Sequence, residues 1–535
     1  MNYFQPYSLP ADQTILAAWD SQLADIAEFP EFVTALAKQR ELFPRFAETY
    51  TKLRALPRGT RRALQRKLAR AREFIWLQPE WQRKLAGSLA GAALLLALAQ
   101  SASAATINVT TNIPDINDGD GKCSLIEAIV NANNDAATHP DCVAGDGADT
   151  IVLPKGSIKL TKSYGPLFNF AALPTITSTI VIEGNGAKIA RDAYSFPFTL
   201  IHVANSGDAT LHDLTLQGGL SGAGNSGRLR IENSRITGNG FFGGYINGFT
   251  VRGRGIFNSG TLIISNSTIS GNTTYGSVEH NFLGSGAGIW NYGGVAYIRE
   301  STISNNSANV GAGVSNGRGG TLIIQNSTIS SNEVHTMRRR FTGEYIGANG
   351  GGVANNFGSY LRIENSTVSG NTANGGSGGG IISGGSMVVV SSTITNNSAT
   401  GGGQDSIGGG VCSFGSLTLN RSIISGNTAE NSSEIYAIGT VAADNFNLFG
   451  SKGDAGISGF TAGASDIVPK SGKVFGPLKN NGGPTRTHMP LRGSPVINAA
   501  PIDEDCPATD QRGKPRPLGK GCDIGAVESN GTTRQ

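Results

Sequence analysis

The chain has 535 residues, 75 of them glycine, and only 15% are charged, against about a quarter in an ordinary globular protein. Its formal net charge of +4 is lopsided: the first 84 positions hold 14 basic against 9 acidic residues, and the remainder is close to neutral. A near-neutral, glycine-rich body argues against nucleic-acid binding and favours a tightly turning β structure surfaced by Asn, Ser and Thr.

Residues 1–84 read as a basic helical extension, with helical periodicity in TILAAWDSQLADIAEF, FVTALAKQRELFPRFAETYTKLRAL and RRALQRKLARAREFIWL. Residues 85–104 form the next unit. Arg83 and Lys84 are followed by an uncharged run from Leu85 to Ala99 and then by QSASA. A positive flank, a short apolar stretch and an A-x-A exit make a secretory signal peptide, with cleavage expected after Ala104. If the run is kept it becomes a membrane anchor, and Arg61, Arg62, Arg66, Lys67, Arg70 and Arg72 act as its positive-inside orienters. Export is the expectation either way, with membrane contact only through this segment.

Residues 105–174 are expected to form an N-terminal cap. Ser124 with Glu127 three positions later forms a capping box, predicting a short helix from Leu125 to Asn133 with Leu125, Ala128, Ile129 and Ala132 on one face. Such a helix suits the open apolar end of a solenoid. Asp115, Asn117, Asp118 and Asp120 lie just before it as an acidic cluster whose oxygens suit Ca²⁺. Its spacing is not that of an EF-hand loop, so a polar turn is the preferred reading and the metal is left unknown.

From 175 to 450 the chain repeats. After irregular early coils (TITSTIVIEGNGAKI, SGDATLHDLTLQGG) one phrase recurs seven times, from LRIENSRITGN to LTLNRSIISGN, ending on Asn239, Asn272, Asn306, Asn332, Asn371, Asn397 and Asn427. Aligned on Ser234, Ser267, Ser301, Ser327, Ser366, Ser392 and Ser422, apolar residues fall five and three positions before the serine, as in Leu229 and Ile231. That is the period-two pattern of a half-buried strand. A second apolar column, from Ile236 to Ile424, has the opposite parity, so the chain must turn at the Asn-Ser pair. A third strand precedes each phrase, with Ile256, Ile289, Val314, Val353, Ile381 and Val411 in register. Three strands and three turns per repeat predict an all-β solenoid, a parallel β-helix in which no coil buries its face without the next. The terminal asparagines are expected to stack, each amide bonding its neighbour's.

Residues 451–535 change tone again: GPLKNNGGPTRTHMPLRGSPVINAA, then CPATDQRGKPRPLGKGCDIGAVE, then SNGTTRQ with no apolar or sorting segment.

Four wordings carry a family resemblance. CSLIEAIVNAN, beginning at Cys123, resembles the CSLREA box of secreted bacterial β-helix proteins, with Ile126 in place of the arginine and Glu127 matching. The segment from Val474 resembles the choice-of-anchor Q module that accompanies such boxes. GGGV followed by NSTISGN is similar to the repeats of polymorphic outer-membrane proteins, and the early coils to pectin-lyase-like solenoids. The resemblance implies a right-handed β-helix at the bacterial surface or outside the cell.

Of five cysteines, Cys123 is expected to pair with Cys142 and Cys506 with Cys522, each stapling one end of the solenoid. Cys412 is left over; alternation points it outward in line with Phe257, Trp290 and Ile382, and with no histidine in this or the adjacent repeats it reads as a passive thiol.

No catalytic residues are assigned. Glu232 and Glu364 share an outward column but stand four coils apart, roughly 19 Å, too far to share one glycosidic bond. Arg230 and Arg362 read as salt partners on the same strands. The insertions all enter at one corner, after the terminal asparagine. They bring Phe241, Phe242, Tyr245, Phe249, Tyr275, Phe282, Phe341 and Tyr345 to the same flank as Arg338, Arg339 and Arg340, a combination suited to sugar rings and acidic glycans. Mutual packing of the loops is the competing reading. The expected function is that of an exported, non-catalytic adhesion or glycan-binding protein needing no cofactor. A polysaccharide lyase or hydrolase of the same fold and a structural envelope protein are the alternatives.

Overall fold

The structure is a computed structural model that describes residues 104–164, 171–241, 244–246, 249–251, 253–274, 276, 283–338, 345–470 and 474–529. The chain divides into two compact units, 1–103 and 104–535, and every described residue lies in the second. The expected helical extension and signal segment fall outside the described residues, apart from Ala104.

The second unit is a parallel β-helix. The three columns read from the sequence pair residue by residue between successive coils. In the first sheet Leu229, Leu262, Ala296, Leu322, Leu361, Met387 and Leu417 stand in register. The second aligns Ile236, Ile269, Ile303, Ile329, Val368, Ile394 and Ile424. The third aligns Ile256, Ile289, Val314, Val353, Ile381, Val411 and Ile435. All are buried in one continuous core.

The change of parity between the first two columns has one cause. Asn233, Asn266, Glu300, Asn326, Asn365, Ser391 and Arg421 each adopt the left-handed conformation, with φ between 44° and 50°. One such residue turns the chain sharply, and Asn tolerates it better than most residues with a Cβ. The serine after it is buried. Its amide donates to the Oγ of the next coil's serine, from Ser234 to Ser267 (3.1 Å) and onward to Ser422.

The asparagine ladder forms as expected. Asn239 Nδ2 donates to Asn272 Oδ1 at 3.0 Å, and the chain continues through Asn306, Asn332, Asn371 and Asn397 to Asn427. The structure adds a second ladder: Asn225, Asn258, Asn291, Asn316 and Asn355 bond amide to amide at 2.7–2.8 Å at the other end of the third sheet. A further run of short strands, from Gly240–Phe241 through Ser398–Thr400 to Thr428–Ala429, adds a fourth strand per coil to the three expected. Its inward residues Ala308, Val334, Ala373 and Ala399 pack with Ala287, Ala312 and Ala348 as a small core of their own.

The N-terminal cap has the expected form. The helix spans Leu125–Asn134, and Ser124 and Glu127 form both hydrogen bonds of the capping box. Leu125, Ala128, Ile129 and Ala132 are buried against Ile107 and Ile151 in the main core. Cys123–Cys142 ties the helix start to the loop beyond it.

Cys506–Cys522 is also formed, but its place corrects the expectation of an end staple. The last coils are closed by Phe449, Ile457, Phe460 and Ala462 packed on the core. The segment from Val474 turns back along the flank of the rod, over the outward side of the second sheet. Val474, Val496, Ala500, Cys522 and Ile524 cover Ile423 and Leu448 there, because those two outward positions are aliphatic where earlier coils carry threonine. Gln511 holds the segment down: its Oε1 accepts from Thr367 Oγ1, and its Nε2 donates to Thr328 Oγ1 at 2.9 Å and Thr485 Oγ1 at 2.8 Å. His488 bridges Ser369 Oγ and the Gly476 carbonyl, and its burial holds the imidazole below its ordinary pKa.

Candidate functional site

The insertion expected to present Arg338–Arg340 is a hairpin. Glu333–Arg338 continues the fourth run of strands and pairs antiparallel with Tyr345–Gly347, placing Arg338 opposite Tyr345. The first insertion makes a similar antiparallel pair, Gly244–Ile246 with Phe249–Val251. The backbones of Phe241, Tyr245, Phe249 and Tyr345 thus lie on strands at the expected corner, and Arg338 is exposed there. Phe242, Tyr275, Phe282, Arg339, Arg340 and Phe341 lie outside the described residues.

Where these insertions rejoin the third sheet, the side chains are described and aromatic. Phe257 and Trp290 are register partners with ring centroids 5.5 Å apart, edge to face, and Tyr292 lies 4.8 Å from Trp290. Buried Arg254 sets its guanidinium 4.3 Å from the Trp290 centroid and 5.4 Å from that of Phe257. The rings are half-buried, so they present edges and part-faces to solvent above the buried guanidinium.

Cys412 is in the expected register with Ile382, yet it is fully buried. The chain ahead of each third-sheet strand folds back over its outward side at a left-handed glycine: a Cβ on Gly408 would meet the Cys412 Cα at 3.0 Å. Burial pushes the thiol up to about 12, which suits the inert role expected of it.

At the cap, the three aspartates do not gather. Asp115 pairs with Lys162 at 3.1 Å, Asp118 with His139 at 2.8 Å, and Asp120 accepts from the Lys122 amide and from Asn117 Nδ2. Asp118, His139 and the buried Glu127 instead bring one donor atom each within 4.8 Å of one another. Both Glu127 oxygens already accept backbone amides, from Asn117 and Ser124 at 2.8 Å. A cavity of about 660 Å³ opens beside them, lined in part by Asp115, Asp120, Lys122 and Lys162.

The outward column of the first sheet holds a grouping that the repeat pattern does not reveal. Glu183, His212 and Glu232 are consecutive register partners. His212 Nδ1 lies 2.7 Å from Glu183 Oε2, and Asn233 Nδ2 lies 2.8 Å from His212 Nε2. Glu364 does stand four steps from Glu232 along the same column. Arg362 bonds Glu364 on its own strand at 3.0 Å as expected, whereas Arg230 reaches Asp208 of the preceding coil at 2.7 Å. The grouping escapes the pattern for a physical reason: in the early coils single long strands, Thr179–Arg191 and Asp208–Gln217, run through the turn, so they lack the serine on which the columns align.

These features define the class: a parallel β-helix with a capped N-terminal end, a flank covered by its own C-terminal segment, and an aromatic corner. No family model matches the chain, and no curated protein does. Among solved structures the crystal structure of pectate lyase Pel9A is similar, with a TM-score of 0.46, 17% identity, and coverage of 81% of this chain and 98% of that one. Among the described residues no helix is long and apolar enough to cross a membrane.

Proposed function

We propose that the protein is exported and acts outside the cytoplasm as a non-catalytic, glycan-binding or adhesive β-helix. The observation that carries this reading is the Arg254–Phe257–Trp290 cluster, because it puts half-exposed rings over a guanidinium at the corner where the aromatic insertions enter. Stacking on rings is an interaction a pyranose polymer uses, and the buried guanidinium holds these rings in place while Arg338 is exposed at the same corner. Two formed disulfides fit an oxidising compartment. The test is a glycan array probed with the full chain and with a hairpin deletion in which Asn-Gly replaces residues 339–344, leaving the paired strand Glu333–Arg338 in place: binding that the deletion weakens at least tenfold supports the reading, and undiminished binding removes the corner from it.

A second reading, polysaccharide cleavage, draws on the Glu183–His212–Glu232 column, since two register steps bring the outer carboxylates to roughly 10 Å. Reducing ends or unsaturated uronates released from a polysaccharide panel, and lost in Glu232→Gln, would favour it over binding.

A further inference from the structure

A different edge of the rod carries its own pattern. Between the third sheet and the first, each coil makes a tight turn just past the Asn225–Asn355 ladder. In three successive turns the residues there are Tyr292, Arg318 and Phe357: Tyr292 is one residue beyond Asn291, while Arg318 and Phe357 are each two beyond the paired Asn316 and Asn355. They succeed one another at the coil spacing of about 4.8 Å.

Each is set in a particular way. Phe357 is 75% exposed, although a phenyl ring in water is unfavourable. Its ring rests on Gly384 of the next coil: a Cβ there would meet three adjacent ring carbons at 3.0–3.1 Å, so only glycine lets the ring lie face-down with its other face outward. Arg318 is exposed in a left-handed turn, φ 53°, with its guanidinium 4.6 Å from the half-buried Tyr292 ring. No acidic side chain pairs with it among the described residues. The row therefore reads ring, unneutralised cation, open ring face.

We infer that this ridge is a second saccharide subsite, separate from the insertion corner, and that it takes an anionic sugar chain. A pyranose offers axial C–H bonds to the outward, electron-rich face of Phe357. A carboxylate on the neighbouring sugar meets the Arg318 guanidinium, whose planar fork matches it bidentately. A regular polymer suits a regular ridge: the side chains sit on a stiff ladder and lose little freedom on binding. The inference shares with the proposed function only its class of ligand.

The experiment measures binding of alginate and hyaluronan oligosaccharides, with neutral cello-oligosaccharides for comparison, to the full chain and to Phe357→Ala, Arg318→Gln and a hairpin deletion in which Asn-Gly replaces residues 339–344, each checked for an unchanged melting temperature. The expected result is at least tenfold weaker anionic binding in both point variants, a salt dependence that Arg318→Gln flattens, and neutral oligomers at least tenfold weaker than anionic ones. Point variants within twofold of the parent overturn the ridge while leaving the insertion corner standing if the deletion alone abolishes binding. Equal affinity for neutral and anionic oligomers overturns the anionic assignment, and no binding to any oligomer overturns both proposals.

Discussion

At the scale of single residues, the chemistry is dominated by polar groups sealed inside the rod. Glu434 is the clearest case. It takes the place of the next asparagine at the end of the ladder, accepting Asn427 Nδ2 at 2.6 Å, the Asn427 amide at 3.2 Å and the Gly426 amide at 2.8 Å. Burial outweighs these donors and pushes the carboxyl from 4.5 to about 7. A raised acid pKa means that the folded state holds the proton more tightly than the unfolded chain. Its stabilising contribution is therefore complete below pH 4.5 and is lost as pH rises toward 7. Melting curves are expected to show the last coils less stable at pH 7.5 than at pH 5, and Glu434→Gln, which keeps an amide in the ladder, to abolish that difference. A second expectation concerns Cys412: iodoacetamide at pH 8 should leave it unmodified in the native protein and label it fully in denaturant, since both burial and its raised pKa withhold the thiolate.

At the scale of elements, ladders and turns decide the fold. Asn332, fully buried, accepts from Asn306 and donates to Asn371 and to the Ile303 carbonyl. Asn332→Ala leaves several buried groups unpaired, and each costs about 1–3 kcal/mol. Denaturant titration is expected to show a loss of that size or more, against a smaller loss for the exposed Asn305→Ala, whose cost is the left-handed turn at φ 55°. The C-terminal segment depends on fewer contacts, so Gln511→Ala is expected to lower hydrogen-exchange protection in residues 485–529 without changing that of the coils. These elements also show what a sequence can reveal in advance. The three apolar columns, the capping box and the terminal-asparagine ladder are legible because each repeats in the sequence or sits at a fixed offset. The ladder from Asn225 to Asn355 is not, because its asparagines fall just past the apolar residue of the glycine strand, where they look like ordinary turn residues. The path of the chain after Val474 is also hidden: nothing local in CPATDQRGKPRPLGKGCDIGAVE says that its glutamine will meet threonines more than 140 residues earlier.

At the scale of the whole rod, flat polar faces stack around a dry interior, and side chains separate along the axis by multiples of the coil rise. That geometry offers a long, repeating ligand a row of contacts along one edge, and it also brings side chains of adjacent coils together, as with Glu183 and His212. The insertion corner is partly legible, since the aromatic and arginine content of the loops is plain in the sequence and Arg338 and the hairpin strands lie where expected. The supporting cluster of Arg254, Phe257 and Trp290 is only half visible, as an outward column without its cation. The row of Tyr292, Arg318 and Phe357 cannot be seen at all, because it depends on which turn residues stack on which.

The most direct measurement is to titrate the full chain with anionic polysaccharide by calorimetry while the same mixtures are monitored for reducing ends and unsaturated products. The account predicts saturable heat of binding with no product over hours, and binding weakened by the hairpin deletion at residues 339–344. Steady release of either product, or no heat with any polysaccharide, would contradict it.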